Sequence, residues 1–318
     1  MKKANVILIL VVVILSSVSN VGFAQRQNKN QKINPERIIK FLDKNNDKKI
    51  SKEEASNRKK LSENFDQLDA NNDGYLTADE LKGPDATKTN RYTYLESDGI
   101  FMYYETNEKD LYRKLLPEQF EMPDQLLVFT FISDFYKMDA ETQPYKETSI
   151  FLLGKYKGQE MWHCVYMPVT SRESMMAGKY RLGLPKTMGE IDFYRYDPEY
   201  NAKVTDHNNG KVSLSIDTKN HSLSNEQKEL LNELSVIPKM NILNGEVIEM
   251  TGGRNGSIFD LAERFPSKVV IKSGEGNIEF DMSAQKNNTD ASPLGLEPSK
   301  ILGAYYLSNK IPFRLGKK

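Results

Sequence analysis

The sequence predicts a multidomain protein in which a small all-α unit precedes a larger, mostly β domain of the α+β class. In the first part of the chain, two acidic 12-residue segments lie 26 residues apart among apolar residues at helical spacing. A polar stretch rich in turn-forming residues then breaks this pattern. From about Tyr92 the chain changes to aromatic and β-branched runs of strand length. We therefore place the all-α unit at residues 33–82, a linker at 83–91 and the β domain at 92–318.

Residues 1–24 are typical of a secretory signal peptide. Lys2 and Lys3 provide a basic start, an apolar run follows at 6–15, and a small-residue cleavage site ends at Ala24. That apolar run is too short to cross a bilayer, which takes about 20 residues. We therefore expect cleavage near Ala24 and a secreted or periplasmic protein without a stable membrane span.

The overall composition indicates a globular chain with balanced charge. With 38% hydrophobic and 28% charged residues, the chain can bury a sizeable core. Basic and acidic residues number 44 each, so no global electrostatic field attracts nucleic acid. The single cysteine, Cys164, cannot form an intrachain disulfide. The oligomeric state stays open, with a homo-oligomer as one option.

The second acidic segment has an oxygen donor at each position where a cation-binding loop needs one. The donors at positions 1, 3, 5, 7, 9 and 12 are Asp69, Asn71, Asp73, Tyr75, Thr77 and Glu80. Gly74 fills position 6, where the chain must take a positive φ. The apolar Leu76 fills position 8, and we expect it to pair across the two loops with its counterpart in the first segment, Ile50. Ca²⁺ takes six to eight oxygen ligands, here including the Tyr75 carbonyl and both carboxylate oxygens of Glu80. The pattern predicts an EF-hand calcium loop.

The first acidic segment repeats this pattern with one flaw. Its donors are Asp43, Asn45, Asp47, Lys49 (through its carbonyl), Ser51 and Glu54. Position 6 is Lys48 instead of glycine, and a lysine in the left-handed region costs roughly 1–2 kcal/mol. Two matches in phase, each flanked by helical apolar spacing, favour an EF-hand pair over an acidic, solvated turn pair. We expect both loops to bind Ca²⁺, the first more weakly.

The β domain carries local structural signals but no catalytic motif. Ser224 followed by Gln227 predicts a capping box at the start of a helix, and runs such as 126–132 and 212–216 predict strands. Signatures of a Ser/His/Asp triad, a phosphate loop, or a CxxC or HExxH metal site do not occur in its sequence. Motifs alone therefore assign no activity to this domain.

Several segments of the β domain share their order and residue types with one known family. They are residues 104–118, 145–147, 178–187, 237–240 and the portion from Pro293 onward. The most specific is Gly178 to Thr187, which contains the dipeptide Pro185-Lys186. Through these segments, residues 93–318 resemble the acetoacetate decarboxylase family.

The resemblance implies a β-barrel around a buried lysine that forms a Schiff base with a β-keto acid or a related carbonyl compound. By position, Lys186 is the implied nucleophile and Glu147 the implied acid in the same pocket. A lysine in water is protonated and inert, so such a residue must be desolvated or placed near another cation. Acetoacetate decarboxylase is the established example of this effect.

Three positions depart from the family pattern. Thr187 stands where the family has a second lysine, Ser97 falls where it has an arginine, and Thr130 or Phe131 falls where it has a pocket glutamate. Charged groups that would hold a substrate carboxylate are therefore missing. This favours an aldolase or dehydratase over a carboxy-lyase, or a loss of activity.

Two other interpretations stay open. One is a non-catalytic calcium-binding protein whose β domain binds a small carbonyl ligand or lipid. The other is purely structural, with calcium stiffening a spacer that presents the β domain. An imine trapped at Lys186 would favour the enzyme, whereas affinity without turnover would favour the binding protein.

Overall fold

A computed structural model describes the chain in the stretches 34–63, 65–69, 73–82, 92–139, 142–219, 221–252, 257–286 and 291–317. The predicted signal peptide, the predicted linker at 83–91 and the predicted ligand Asn71 lie outside the described residues. A helix with the length and apolar character needed to cross a bilayer does not occur in the stretches that are described.

The described residues between 34 and 82 form five short helices and a two-stranded sheet. In order these are α1 Pro35–Leu42, β1 Ile50–Ser51, α2 Lys52–Ala55, α3 Lys59–Glu63, α4 Phe65–Leu68, β2 Tyr75–Leu76 and α5 Ala78–Lys82. Helix α1 begins where the Asn34 side chain accepts the backbone N–H of Arg37, with Pro35 in the first turn. Strands β1 and β2 pair antiparallel and set Ile50 opposite Leu76. Both side chains are fully buried, as their matching positions in the two acidic segments predict.

The remainder of the chain is mostly strand. Its elements are β3 Thr93–Thr106, α6 Lys109–Leu115, β4 Leu127–Met138, β5 Tyr145–Tyr156, β6 Gln159–Val169, α7 Arg172–Leu182, β7 Lys186–Tyr196, β8 Glu199–Asp206, β9 Lys211–Asp217, α8 Asn225–Val236, β10 Met240–Leu243, β11 Glu246–Gly252, α9 Ile258–Arg264, β12 Val269–Asp281, a 3-10 turn at Pro293–Gly295, β13 Pro298–Asn309 and β14 Phe313–Lys317. Helix α8 begins with the predicted capping box of Ser224 and Gln227. All described residues belong to one structural unit, Asn34–Lys318.

Nine strands close into a β-barrel in the order β3-β13-β12-β9-β8-β7-β6-β5-β4, because β4 also pairs with β3. Neighbours around this ring are antiparallel except β6 and β7, which are parallel and connected through helix α7. The predicted barrel is therefore confirmed. An aliphatic core that includes Ile100, Val128, Ile150, Val204 and Leu214 joins opposite walls of this ring.

Strands β3 to β6 also form one side of a second ring. Strand β14 pairs with the start of β3, β11 pairs with β14, and β10 pairs with β11. A bridge between Trp162 of β6 and Lys239, just before β10, completes the circuit. Because successive strand residues point to opposite faces, the shared wall sends one set of side chains into the aliphatic core and the other into this second ring. The second set includes many aromatic side chains and packs against residues of α7, α8 and α9.

Candidate functional site

A buried ion pair lies on the second-ring side of the shared wall. Lys186 begins β7, Glu147 lies near the start of β5, and each is 4% exposed. The Lys186 Nζ donates to Glu147 Oε2 at 2.8 Å and to Ser174 Oγ at 3.0 Å. The structure thus brings together the two residues that the family resemblance singles out, and it adds Ser174 of helix α7.

Helix α7 lies directly on the stem of Lys186 because Gly178 has no side chain. A Cβ at Gly178 would lie only 2.5 Å from Lys186 Cδ. The helix ends at Gly183, whose left-handed conformation (φ 61°) turns the chain into β7. Lys186 sits opposite Met167 in the parallel pair of β6 and β7. Its neighbour Thr187 therefore points to the other face of the strand, so a cation at position 187 would not have faced the amine.

Two tyrosines extend the hydrogen-bond network of the pair. Tyr145 donates to Glu147 Oε2 at 3.2 Å, and its hydroxyl lies 2.9 Å from that of Tyr94. The Lys186 Nζ is 5.4 Å from the centre of the Tyr145 ring. Burial, followed by the charge of Glu147, raises the pKa of Tyr145 well above its usual range. The tyrosine therefore stays protonated and remains a donor to the carboxylate.

The pair faces a cavity of about 900 Å³ inside the second ring. Its walls are largely aromatic: Phe101, Tyr103, Phe129, Phe131, Phe151 and Tyr305. Four further charged side chains line it: Arg181, Lys239, Glu249 and Lys317. Sequence reasoning missed these groups, although Arg181 and Lys239 fall within segments that carry the family resemblance.

Of the residues that depart from the family pattern, Phe131 lines the cavity, whereas Ser97 and Thr130 do not. Ser97 is buried away from the cavity lining. Thr130 is also fully buried off the lining and donates to the carbonyl of Ser149 at 2.8 Å. Phe131, on the opposite face of β4, is part of the cavity wall. At this position the pocket therefore presents an aromatic ring.

The two acidic loops share one local feature among their described residues, the conformation at position 6. At position 6, Lys48 has φ 64° and Gly74 has φ 82°, which agrees with the positive φ predicted there. The backbone N–H of each donates to the carboxylate at position 1, Asp43 or Asp69, at 2.9 Å. The lysine thus adopts the left-handed conformation that glycine adopts freely.

The carboxylates at position 12 fold back onto their own loops. Glu54 Oε2 accepts the backbone N–H of Ser51 at 2.8 Å, and Glu80 Oε2 accepts that of Thr77 at the same distance. Among the described residues, no group of three or more His, Cys, Asp or Glu side chains is gathered to hold a metal ion. The buried Asp43 Oδ1 has no hydrogen-bond partner among the residues that the structure describes. An all-oxygen donor set with an unsatisfied carboxylate oxygen fits a hard cation such as Ca²⁺.

The second loop contacts the helix that covers Lys186. The Lys179 Nζ donates to the Asp69 carbonyl at 2.6 Å, and Arg172 Nη2 lies 3.5 Å from Thr77 Oγ1. Burial raises the pKa of Tyr180, and the charges of Glu80 and Asp69 add to this increase. Helix α7 therefore contacts the second loop through Lys179 and Arg172 and the buried lysine through Ser174.

Fold and site together define a class: a two-ring β protein that holds a lysine amine beside a carboxylate in a largely aromatic cavity. The acetoacetate decarboxylase (ADC) family model matches residues 82–317, and the chain belongs to this family. An EF-hand model matches residues 63–83, which include the second acidic loop. No curated protein matches the chain.

Solved structures with the same fold are distant in sequence. Acetoacetate decarboxylase from Legionella pneumophila is 14% identical with a TM-score of 0.53, over 71% of this chain and 85% of that one. The enduracididine biosynthesis enzyme MppR complexed with pyruvate is 16% identical with a TM-score of 0.52, and the match covers 74% of this chain and 92% of that one. MppR complexed with the condensation product of pyruvate and imidazole 4-carboxaldehyde is 16% identical with a TM-score of 0.50, and the match covers 76% of this chain and 93% of that one.

Proposed function

We propose that the barrel domain is an enzyme in which Lys186 forms a Schiff base with a small carbonyl compound. The observation that carries this proposal is the Lys186–Glu147 pair, buried at a cavity large enough for a ligand. Lysine and glutamate are almost never fully buried unless paired, and ionisable pairs in a cleft mark functional sites. Membership of the acetoacetate decarboxylase family supports the same role.

The geometry provides a route for each proton of imine formation. A proton moves from Lys186 Nζ to the Glu147 carboxylate, 2.8 Å away, which leaves a neutral amine and a neutral acid. The amine adds to the carbonyl carbon, and proton transfer within the adduct gives a carbinolamine. Glu147 returns its proton to the hydroxyl, which leaves as water, so the products are a protonated imine and the carboxylate. The imine then withdraws electrons from the neighbouring carbon–carbon bond.

The step after imine formation belongs to one of two reaction classes. A carboxy-lyase would release CO₂ from a β-keto acid, and an aldolase or dehydratase would join the imine to a second carbonyl compound. Both classes are represented by proteins of similar fold, since acetoacetate decarboxylase shares it and MppR was solved with a condensation product. Arg181 and Lys239 line the cavity and provide positive charge for a substrate carboxylate.

Reductive trapping tests the Schiff base directly. Incubation with keto acids or β-diketones and borohydride should add one ligand mass, and peptide mapping should place it on Lys186. Lys186→Ala should abolish the labelling. Lys146→Ala is the matched control because Lys146 lies beside Glu147 on β5 but outside the cavity lining, and it should label normally. Labelling spread over surface lysines, or none across the panel, would leave only a non-catalytic domain that binds a carbonyl ligand or lipid.

We propose further that residues 33–82 form an EF-hand pair that binds Ca²⁺. The supporting observation is that position 6 donates the same hydrogen bond to position 1 in both segments, which the β1–β2 pair joins. Dissociation constants of about 0.1–1 mM are typical of extracellular modules. Calorimetry on Glu80→Ala and Glu54→Ala tests this, because Glu80→Ala should remove the tighter site. Loss of the tighter site in Glu54→Ala would reverse the ranking.

Export is the third part of the proposal, and it rests on the sequence of residues 1–24. The mature protein should begin after Ala24 or a neighbouring residue. Amino-terminal sequencing of protein collected outside the cytoplasm tests this. Recovery of a chain that still begins before Lys2 would contradict it.

A further inference from the structure

The cavity is larger than a short keto acid requires. Its volume of about 900 Å³ lies near the upper end of the roughly 300–1,000 Å³ range of pockets that enclose drug-sized ligands. A carbonyl compound with only a methyl substituent would fill a small part of it. Unfilled apolar space contributes no binding free energy, since the dispersion contacts and the release of water both require an occupant.

The aromatic lining extends away from the ion pair along one strand. Glu147 pairs with Ser133 of β4, and Phe131 and Phe129 follow at two and four residues along the same face. At about 3.3 Å per residue these rings line the next ~13 Å of the wall. Phe151 of β5 continues the surface at the far end, with its ring centre 5.6 Å from that of Phe129.

The neighbouring wall contains stacked aromatic rings. The rings of Phe101 and Tyr305 are stacked with centres 5.3 Å apart and planes at 5°. The ring centre of Phe101 lies 5.5 Å from that of Phe131. Parallel aromatic faces bind planar apolar groups through stacking and dispersion. The reacting end of the cavity is thus polar, whereas a broad aromatic surface leads away from it.

We propose that the substrate is a carbonyl compound that carries a large aromatic or long apolar substituent. The carbonyl lies at Lys186, and the substituent extends along Phe131 and Phe129. This inference rests on the proposed Schiff-base function and specifies its substrate class. It is independent of whether the compound also carries a carboxylate.

Two β-diketones that differ only in one substituent test the proposal. Acetylacetone has a methyl group where benzoylacetone has a phenyl group, and both can form an imine with Lys186. The full-length protein is incubated with each over a range of concentrations, reduced with borohydride and analysed by intact mass. Half-maximal labelling should require at least tenfold less benzoylacetone, which corresponds to about 1.4 kcal/mol.

Variants separate the cavity wall from general apolar affinity. Phe131→Leu should reduce the preference for benzoylacetone, and Phe101→Leu provides a second test if the first variant is unstable. Phe265→Ala is the control, because Phe265 is exposed and lies outside the cavity lining, and it should keep the wild-type preference. The fluorescence of Trp162, the single tryptophan, reports folding of each variant.

The outcomes distinguish the substrate class from the chemistry. Equal labelling by both diketones, or a preference for acetylacetone, would overturn the substrate class and leave the Schiff base intact. No labelling of Lys186 by either compound would overturn both. A benzoylacetone preference that Phe131→Leu and Phe101→Leu leave unchanged would also overturn the proposal, because the aromatic wall would not be its cause.

Discussion

Replacing Glu147 by Gln tests the energetic role of the buried pair. Lys186 and Glu147 are each 4% exposed, and their charged atoms lie 2.8 Å apart. Removal of one partner from such a pair leaves an uncompensated buried charge and costs about 3–5 kcal/mol. In Glu147→Gln, the Lys186 ammonium would keep Ser174 Oγ at 3.0 Å, a neutral acceptor. We therefore expect a loss of stability within that range.

The reverse substitution, Lys186→Met, should cost less. Glu147 keeps the Tyr145 hydroxyl as a donor at 3.2 Å, so its carboxylate retains a hydrogen-bond donor. The double variant Lys186→Met, Glu147→Leu removes both charges, and apolar replacement of buried pairs is often neutral or stabilising by about 1–4 kcal/mol. In a double-mutant cycle, the stability changes of the two single variants should therefore not sum to that of the double variant.

Urea unfolding followed by Trp162 fluorescence provides the measurement, since Trp162 is fully buried in the barrel wall. Each variant's free energy of unfolding is compared with that of the wild type at constant m-value. A loss below about 1 kcal/mol in Glu147→Gln, the range of surface ion pairs, would refute the argument. Additive single effects in the double variant would refute it as well.

Three further predictions concern a helix, a loop and a histidine. Gly178→Ala should reduce borohydride labelling of Lys186 at least tenfold with unchanged Trp fluorescence, because the new Cβ would lie 2.5 Å from Lys186 Cδ. Lys48→Gly should tighten calcium binding at the first loop about tenfold in calorimetry, since it removes roughly 1–2 kcal/mol of strain; an unchanged affinity would contradict this. Burial lowers the pKa of His163 to about 4, so between about pH 6.5 and 4 the unfolded state binds the extra proton. The contribution of His163 to the free energy of unfolding should be complete above pH 6.5 and should fall by about 3 kcal/mol down to pH 4, and His163→Gln should remove this contribution.

Features with short-range causes could be predicted from the sequence. The positive φ at Lys48 and Gly74 and the opposition of Ile50 and Leu76 follow from loop positions alone. The capping box at Ser224 follows from a four-residue pattern. In each case the interacting groups are close in sequence or fixed by a repeat.

The cavity could not be predicted, because its walls come from strands distant in sequence. Tyr94 lies 51 residues from its hydroxyl partner Tyr145. The alternation of β5 places Tyr145 and Glu147 on one face and was available as a signal. No comparable signal links Tyr305 to Phe101, since this contact depends on the pairing of β13 with β3. The resemblance to a family located Lys186 and Glu147 but said nothing of the aromatic wall.

Helix α7 contacts both the second acidic loop and Lys186. Lys179 donates to the Asp69 carbonyl on one side of the helix, and Ser174 accepts from Lys186 on the other. Coupling free energy between two sites is reciprocal. If a cation in the loop changes the affinity of Lys186 for its ligand by some factor, the effect must also run in the other direction. Ligand binding at Lys186 must then change the affinity of the loop for the cation by the same factor. A protein of this design would respond to the concentrations of cation and carbonyl compound jointly, through a helix of 11 residues.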